Sequence, residues 1–185
     1  MARLLGDAKR KLADGRDVRV RSARPHDARA LASLLDDVAR ETPATLLLAP
    51  GEATAKSWRR RIAAASLDYH SLFLVAIVGG NLVGNLSLER DAHPNSAHAA
   101  CLGISVARGY RSLGIGALLL ESASEWAASS GVTKLQLGVF PENTRATGFY
   151  ERHGFVREGS RRAQYVRDGR YHDETLMARF ITSNV

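Results

Sequence analysis

The chain has few of the residues that build covalent cross-links or metal centres. Cys101 is its one cysteine, which excludes an internal disulfide framework and a zinc site built on cysteines. The six histidines lack the spacing of metal ligands, so we expect no metal cofactor. Because no neighbouring residue would activate it, we interpret Cys101 as a core or half-buried thiol and not as a nucleophile.

Long apolar stretches and aromatic residues are also scarce. The longest apolar runs, such as residues 72–78, fall far short of the ~20 residues that cross a membrane, so we expect no membrane-spanning segment. Aromatic side chains make up 6% of the chain and hydrophobic ones 45%, which indicates a folded domain with a mostly aliphatic core. Residues 1–14 are charged throughout and lack the apolar segment of a secretory signal, so we expect a cytoplasmic protein.

No block of like charge is long enough to be a nucleic-acid-binding arm, although the chain is basic. Lys and Arg number 26 against 19 Asp and Glu, a formal net charge of +7, and the basic residues are spread along the sequence. The stacking aromatics of an RNA-binding module are absent as well. We therefore expect no nucleic-acid partner, and an anionic small ligand remains a candidate.

The hydrophobic pattern predicts one domain of mixed strands and helices. Alternation and short apolar runs predict seven strands, at residues 18–21, 71–78, 82–89, 98–106, 134–140, 155–166 and 171–181. Amphipathic spacing predicts four helices, at residues 31–41, 52–65, 113–130 and 143–153, with Asp27 as the N-cap of the first. Hairpins combined with two β-α-β crossovers predict an α/β (α+β) fold, with a central mixed, mostly antiparallel sheet of about seven strands and helices on both faces.

A short basic amphipathic arm, residues 1–16, precedes the predicted domain at residues 17–185. Leu4, Leu5, Ala8 and Leu12 recur at helical spacing. We therefore expect part of the arm to form a helix that packs on the domain.

Residues 102–119 form a strand that enters a basic, glycine-bearing turn and then a helix, with the sequence LGISVARGYRSLGIGALL. Helix N-termini have unpaired N–H groups and partial positive charge, so they attract phosphates. Gly114 and Gly116 allow the backbone to approach a ligand closely, and Arg108 and Arg111 add charge-assisted hydrogen bonds. The segment predicts a site for an anionic, phosphorylated ligand, although the glycines are also compatible with close packing of the helix on the sheet.

Two familiar phosphate-binding loops do not fit this segment. A P-loop needs Gly-Lys-Ser/Thr where Ile115-Gly116-Ala117 stands. A Rossmann fingerprint needs Gly or Ala where Leu119 stands, and an acidic ribose contact about 20 residues later. The pattern that fits is Arg-x-x-Gly-x-Gly, from Arg111 to Gly116, after a strand that ends at Val106.

A second motif lies at residues 135–155. A strand is followed by Asn143 at the start of a helix, Tyr150 late in that helix, and Gly154-Phe155 at the start of the next strand. In this order and separation, the two motifs resemble those of the GCN5-related N-acetyltransferase (GNAT) superfamily. The predicted element order from residue 18 to residue 181 also matches that superfamily.

The resemblance implies acetyl-CoA as the co-substrate, lying across the strands that end at Val106 and Val139. The backbone of Ile104, Ser105 and Val106 would pair with the pantetheine arm, as an added strand does. Asn143 would contact that arm from the facing helix, or serve only as the N-cap of its helix. Backbone N–H groups of the turn would hold the pyrophosphate, with the Arg111 side chain beside it; the turn residues are Arg111, Ser112, Leu113, Gly114, Ile115, Gly116 and Ala117.

The resemblance also implies the catalytic groups. Tyr150 matches the general acid that protonates the departing CoA thiolate, the alternative being a buried core tyrosine. A strand N–H near Val106 would stabilise the oxyanion. A substrate amine with a pKa of ~10 needs a base. Glu89 is the first candidate, unless it is an ordinary carboxylate at a strand end; the further candidates are His98, Glu142, Glu41 and a chain of water molecules.

The function implied is N-acetyl transfer from acetyl-CoA to a primary amine, by direct attack within a ternary complex. The acceptor would be a protein N-terminus or a small-molecule amine. The alternative is a non-catalytic acyl-CoA-binding or sensing module, for which Tyr150 would be dispensable. The acyl-chain preference, the acceptor and the choice between monomer and homodimer stay open.

Overall fold

The structure is a computed structural model that describes residues 7–41, 47–67 and 70–181. The described residues form eight strands and four α-helices. In chain order these are β1 (Ala8–Lys11), β2 (Asp17–Ser22), α1 (Ala28–Glu41), α2 (Ala55–Ala65), β3 (Ser71–Val78), β4 (Asn81–Arg90), β5 (Ala99–Val106), α3 (Ile115–Ser129), β6 (Lys134–Val139), α4 (Thr144–Arg152), β7 (Val156–Arg167) and β8 (Arg170–Phe180).

All eight strands lie in one sheet, in the order β1-β2-β3-β4-β5-β6-β8-β7. Only β5 and β6 are parallel neighbours, and every other pairing is antiparallel. The connection from β6 to β7 through α4 passes over β8, which lies between them. The predicted mixed, mostly antiparallel sheet is confirmed, with eight strands where about seven were expected.

The eighth strand comes from the N-terminal arm, for which the helix prediction is wrong over the described residues. Ala8–Lys11 pairs with β2 from Ala8 opposite Val20 to Lys11 opposite Asp17, and Leu12 is buried behind it. The open edge of β2 presents unpaired N–H and C=O groups, and pairing with them outweighs the weak helical preference of a short segment. Leu4 and Leu5 lie outside the described residues.

Helices cover both faces of the sheet, as predicted. On β3 the side chains of Leu72, Leu74 and Ala76 join a core with α3, whereas Phe73 points to the opposite face. There Phe73 packs edge-on against Trp58 of α2, with ring centroids 5.5 Å apart. Alternation along single strands therefore builds two separate apolar layers.

The sheet opens between β5 and β6. The two strands pair only from Ala99 opposite Lys134 to Cys101 opposite Gln136, although β5 continues to Val106 and β6 to Val139. Beyond this point β5 remains paired with β4, and β6 with β8. The edges that β5 and β6 turn toward each other are therefore unpaired, and the resulting gap positions the site.

Candidate active site

Two cavities flank the gap between β5 and β6. The turn cavity, about 340 Å³, lies between the end of β5, the turn that precedes α3, and α4. The sheet cavity, about 610 Å³, lies on the sheet face beneath α1 and α2. The two cavities share five lining residues: Ile104, Ser105, Asn143, Ala146 and Tyr150.

The structure brings the predicted cofactor-binding residues together in the turn cavity, with one exception. Leu113 does not line it and instead packs against the apolar core. The others that line it are Ile104, Ser105, Val106, Arg111, Ser112, Gly114, Ile115, Gly116, Ala117, Asn143 and Tyr150.

The turn before α3 has the backbone of an anion-binding nest. A short 3-10 turn at Arg108–Tyr110 is followed by two residues with positive φ, Ser112 at 62° and Gly114 at 93°, and α3 then begins at Ile115. Left-handed residues within such a turn direct successive N–H groups into one concavity, where they bind anions. Glycine accepts this conformation without strain at position 114, whereas Ser112 is an uncommon non-glycine case.

Gly116 also has a packing role. A Cβ atom at this position would lie 3.3 Å from the ring of Phe149, so the missing side chain lets α3 approach α4 closely. Gly116 therefore permits close packing, but of α3 on α4 and not of the helix on the sheet as the alternative had it. Glycine at position 114 is required by its left-handed backbone conformation.

The Arg111 side chain lines the turn cavity, and each of its three nitrogens already donates one hydrogen bond within the protein. Its Nε donates to the carbonyl of Val106 at 2.7 Å, and its two terminal nitrogens donate to the carboxylate of Glu41 at 2.5 and 2.6 Å. Glu41, one of the candidate bases, thus carries a bidentate ion pair.

Tyr150 lies at the junction of the two cavities, and 7% of its surface is exposed. Its ring is held edge-on by Phe149 and Phe155, with centroids 5.3 and 5.4 Å away. Burial raises the pKa of the phenol above its ordinary value, and a hydrogen bond with the backbone of Ile104 opposes this only in part. The phenol is therefore a neutral O–H donor at physiological pH.

Asn143 caps α4 and faces both cavities. Its side-chain oxygen accepts the N–H of Ala146 at 3.1 Å. The N-cap reading is thus confirmed. The contact with a ligand stays a prediction, and Asn143 lies on the walls of both cavities.

Glu89 lines the sheet cavity and forms an ion pair with Arg61 of α2, whose guanidinium lies 4.3 Å from the Trp58 ring centroid. The other candidate bases, His98, Glu142 and Glu41, are not among the described residues that line the two cavities. Glu142 lies 3.8 Å from His172, and the carbonyl of His98 accepts the N–H of Thr133.

Glu174 of β8 is a carboxylate of the sheet cavity that the sequence analysis did not single out. It is 3% exposed, and its oxygens accept from Arg161 at 3.0 Å and from the Tyr165 hydroxyl at 3.2 Å. A Cβ atom on Gly138 of β6 would overlap this carboxylate, whose Cδ would be 2.6 Å away. A glycine inside a strand was the available signal, because it often marks close approach of another group.

Cys101 is exposed at the floor of the sheet cavity, so the expectation of a core or half-buried thiol is wrong. The strand pattern placed it in β5, and its side chain points from the sheet face into the sheet cavity, which leaves it uncovered. The cavity walls nevertheless desolvate the thiol and raise its pKa, as do the charges of Glu89 and Glu174. The thiol form is therefore favoured over the nucleophilic thiolate.

Over residues 7–41, 47–67 and 70–181, no group of three or more His, Cys, Asp and Glu side chains is placed to hold a metal ion. In the same ranges, no helix is long and apolar enough to cross a membrane.

Comparison with proteins of known sequence gives a family match and curated relatives. The Acetyltransferase (GNAT) family model matches residues 31–155. The L-amino acid N-acetyltransferase AaaT of Escherichia coli is 32% identical over 110 residues, which are 57% of this chain and 66% of that protein. A mycothiol acetyltransferase of Jonesia denitrificans is 35% identical over 75 residues, 40% of this chain and 23% of that protein. The matched segments therefore span less than two thirds of either relative.

Solved structures give matches over most of the chain. A GNAT-family acetyltransferase from Streptococcus pneumoniae is 31% identical, with a TM-score of 0.78, and the match covers 89% of this chain and 99% of that one. The Salmonella typhimurium protein yncA, solved with acetyl-CoA, has a TM-score of 0.81 at 18% identity, over 91% of this chain and 96% of that one, and shows the shared fold. With the family model matched over residues 31–155, this chain belongs to the GNAT acetyltransferase family.

Proposed function

We propose that this protein transfers the acetyl group of acetyl-CoA to a primary amine by direct attack within a ternary complex. The observation that carries the proposal is the meeting of two cavities at one buried phenol, Tyr150, in the gap between β5 and β6. One cavity has the anion-binding turn that a CoA pyrophosphate needs, and the other has the carboxylates that an amine needs.

The chemistry of the turn cavity suits acetyl-CoA. The pantetheine arm would lie along the open edge of β5 and pair with its backbone, as an added strand does. Because backbone groups alternate sides along a strand, Ile104 and Val106 turn theirs toward the gap, while Ser105 faces Asn85 of β4. The Val106 carbonyl accepts from Arg111 and the Ile104 N–H contacts Tyr150, so the arm would pair with the Ile104 carbonyl and the Val106 N–H. The N–H groups of residues 111–117 would hold the pyrophosphate. The bound acetyl-CoA of yncA supports this choice of ligand.

The chemistry needs no protein nucleophile. The amine nitrogen attacks the thioester carbon and a C–N bond forms, which gives a tetrahedral oxyanion that a β5 N–H near Val106 would stabilise. Collapse of this intermediate re-forms the carbonyl and breaks the C–S bond, while Tyr150 gives its proton to the CoA thiolate. Its raised pKa keeps the phenol protonated until that step. The nitrogen loses its remaining extra proton to water, and the tyrosinate regains a proton from water, so that the amide, CoA thiol and neutral phenol result.

Glu89 is our choice of base. An ammonium group with a pKa of ~10 must lose a proton before it attacks. The Glu89 carboxylate lies on the sheet cavity wall and would accept that proton directly or through water. Glu174 lines the same cavity, where its charge is paired with Arg161, and it would offer the acceptor amine a carboxylate oxygen as a hydrogen-bond acceptor.

The sheet cavity favours an amine carried on an apolar body. Leu35 of α1, Leu48 and Trp58 line the side of the cavity formed by the helices, across from the carboxylates on the strands. The Escherichia coli relative is named for L-amino acids, which have a primary amine next to a variable side chain. We therefore place α-amino acids and peptide N-termini first among the acceptors.

A thiol-release assay over an amine panel tests the function. The panel consists of L-leucine, L-phenylalanine, L-methionine, their amides, dipeptides with the same first residues, and spermidine, with product mass measured for each. We expect release of CoA and an N-acetylated product with at least one apolar α-amine. Acetyl-CoA binding without thiol release on any acceptor would contradict the proposal and support a non-catalytic acyl-CoA-binding module.

A further inference from the structure

The pair formed by Arg111 and Glu41 joins the phosphate-binding turn to the end of α1. Both carboxylate oxygens of Glu41 accept from the guanidinium, in the planar fork geometry that gives the strongest Arg–carboxylate contacts. The two side chains are only 16% and 19% exposed, so solvent screens the pair much less than a surface ion pair.

The position of Glu41 shows that the pair is not a helix-stabilising device. Glu41 is the last residue of α1, where the carbonyl ends of the helix disfavour a negative charge. Its partner lies 70 residues away in the chain, on the turn. The ion pair with Arg111 therefore offsets the unfavourable interaction between the Glu41 carboxylate and the end of the helix.

Arg111 is held at both ends of its guanidinium, and it holds the turn in place. Its Nε bonds the last carbonyl of β5, at Val106, while its other nitrogens bond α1 through Glu41. The next residue, Ser112, has positive φ, a conformation that a non-glycine residue keeps only where its surroundings impose it. The fixed Arg111 is the nearest such constraint.

We propose that Glu41 is a positioning residue of the cofactor site. It holds Arg111, and through Arg111 the turn, in the conformation whose N–H groups receive the pyrophosphate. The Arg111 side chain then serves as an anchor, and the backbone makes the phosphate contacts. The inference deepens the proposed function and rests on it, because it takes acetyl-CoA as the ligand of the turn.

The pair also links the cofactor turn to the acceptor side. Helix α1 contributes Val38 to the turn cavity and Leu35 to the sheet cavity. Because the turn is fixed to the end of this helix, the turn cavity keeps its position relative to the sheet cavity.

Affinity for acetyl-CoA, measured by calorimetry on the full chain, tests the positioning role without an acceptor. In E41Q the fork is broken and the turn is freed, so we expect the Kd to rise by at least about tenfold, the scale of one lost charge-assisted contact. R111K, which keeps the charge but cannot form the fork, should show a similar loss and covers the case in which E41Q folds poorly. The control is E121Q on α3, which removes one charge of an exposed ion pair with Arg10 of β1 and should leave the Kd unchanged.

Unchanged or tighter binding of acetyl-CoA by E41Q would have a different explanation. If Glu41 only competes with phosphate for Arg111, the freed guanidinium will reach the pyrophosphate and E41Q will bind acetyl-CoA as tightly as the wild type or more tightly. That outcome would overturn the proposal while leaving acetyl transfer intact.

Acetyl-pantetheine, which lacks the pyrophosphate and nucleotide, separates positioning from general damage. We expect E41Q to lower kcat/KM about tenfold more with acetyl-CoA than with acetyl-pantetheine as the donor. The reason is that only acetyl-CoA has a pyrophosphate that contacts the turn. An equal loss with both donors would mean a purely structural role. A wild-type protein that binds acetyl-CoA but releases no thiol would contradict the proposed function alone, since the Kd comparison stands without catalysis.

Discussion

At the scale of single residues, the account depends most on Tyr150. A phenol in water is a weak acid with a pKa near 10. Burial at the cavity junction raises the pKa further, so the group keeps its proton and can donate it when the thiolate forms. The proton-donor role that we propose for Tyr150 thus depends on where α4 places the ring.

We expect Y150F to lower kcat by about 10²-fold or more, the usual range for loss of a general acid, with little change in acetyl-CoA affinity. Thiol release and calorimetry measure the two quantities. Y171F changes a tyrosine that is 75% exposed, and it should behave as the wild type. Equal turnover in Y150F and the wild type would remove Tyr150 from the mechanism.

The raised pKa of Tyr150 also predicts the alkaline side of the pH profile. Since the pKa is shifted upward, the proton stays on the phenol above the ordinary value of ~10. At pH values lower than about 10, ionisation of this phenol should therefore cause no decrease in the rate of acetyl transfer. A fall near neutral pH that Y150F abolishes would contradict the assignment.

Gly138 and Glu174 give a prediction for the acceptor side. G138A places a methyl group on the Glu174 carboxylate, which must move away from Arg161 and Tyr165. We expect about 1–3 kcal/mol loss of stability from overpacking, and a higher KM for the amine with unchanged acetyl-CoA affinity. G159A is the matched control, because its Cβ meets nothing within 4 Å. An unchanged amine KM in G138A would place Glu174 outside the acceptor site.

Residue motifs predicted the lining of the turn cavity but not the partners of those residues. The glycine turn by itself indicated an anion site at Gly114, and the resemblance to the GNAT motifs added Asn143 and Tyr150; all three line the turn cavity. The Glu41–Arg111 and Glu174–Arg161 pairs join residues of different elements through side-chain directions that depend on packing. No short-range pattern in the sequence predicts these two ion pairs.

At the scale of elements, the strongly periodic segments were predicted closely and their ends less so. The strand at residues 71–78 matches β3, and α3 begins at Ile115 instead of residue 113 because Gly114 is left-handed. The second helix begins at Ala55 and not at residue 52, since Thr54 caps it by accepting the N–H of Ser57. The added strand β1 depends on an open edge of β2, which only the assembled sheet reveals.

The link between β2 and α1 gives a stability prediction. Asp27 is buried just before α1, and its carboxylate accepts from Arg21 at 2.6 and 2.8 Å and from the N–H of Arg24 at 2.7 Å. Burial by itself raises the pKa of Asp27, but the hydrogen bonds outweigh it and the pKa is lowered. We expect D27N to cost about 3 kcal/mol at pH 7, because it leaves Arg21 buried without its charge partner.

The pH dependence of this loss follows from the sign of the shift. The folded-state pKa lies below the unfolded value of ~3.9, so the stabilisation is present above that value and is lost as the pH falls through the folded pKa. Urea denaturation should therefore show the gap between wild type and D27N closing below about pH 4. D17N, at an exposed pair with Lys11, should match the wild type throughout. A gap that is independent of pH would contradict the charge-based explanation.

At the scale of the whole molecule, the composition and hairpin pattern predicted the mixed sheet with helices on both faces. They did not predict that β8 lies between β6 and β7. The reason is visible in the burial of the two strands, since β7 is exposed along most of its length whereas β8 buries Thr175, Met177 and Ala178. The gap between β5 and β6 likewise results from strands that pair with different neighbours, and it is the feature that joins the two cavities.

Thermal unfolding with and without saturating acetyl-CoA tests the central claim most directly. A ligand at about 100 times its Kd stabilises a protein by roughly 2.7 kcal/mol, which at this chain length corresponds to a rise in Tm of roughly 5–10 °C. We predict that rise with acetyl-CoA, and little change with ATP, which has phosphates but no pantetheine arm. No change in Tm with either acetyl-CoA or CoA would show that the turn and the open edge of β5 do not form the cofactor site, and the catalytic account would fail with it.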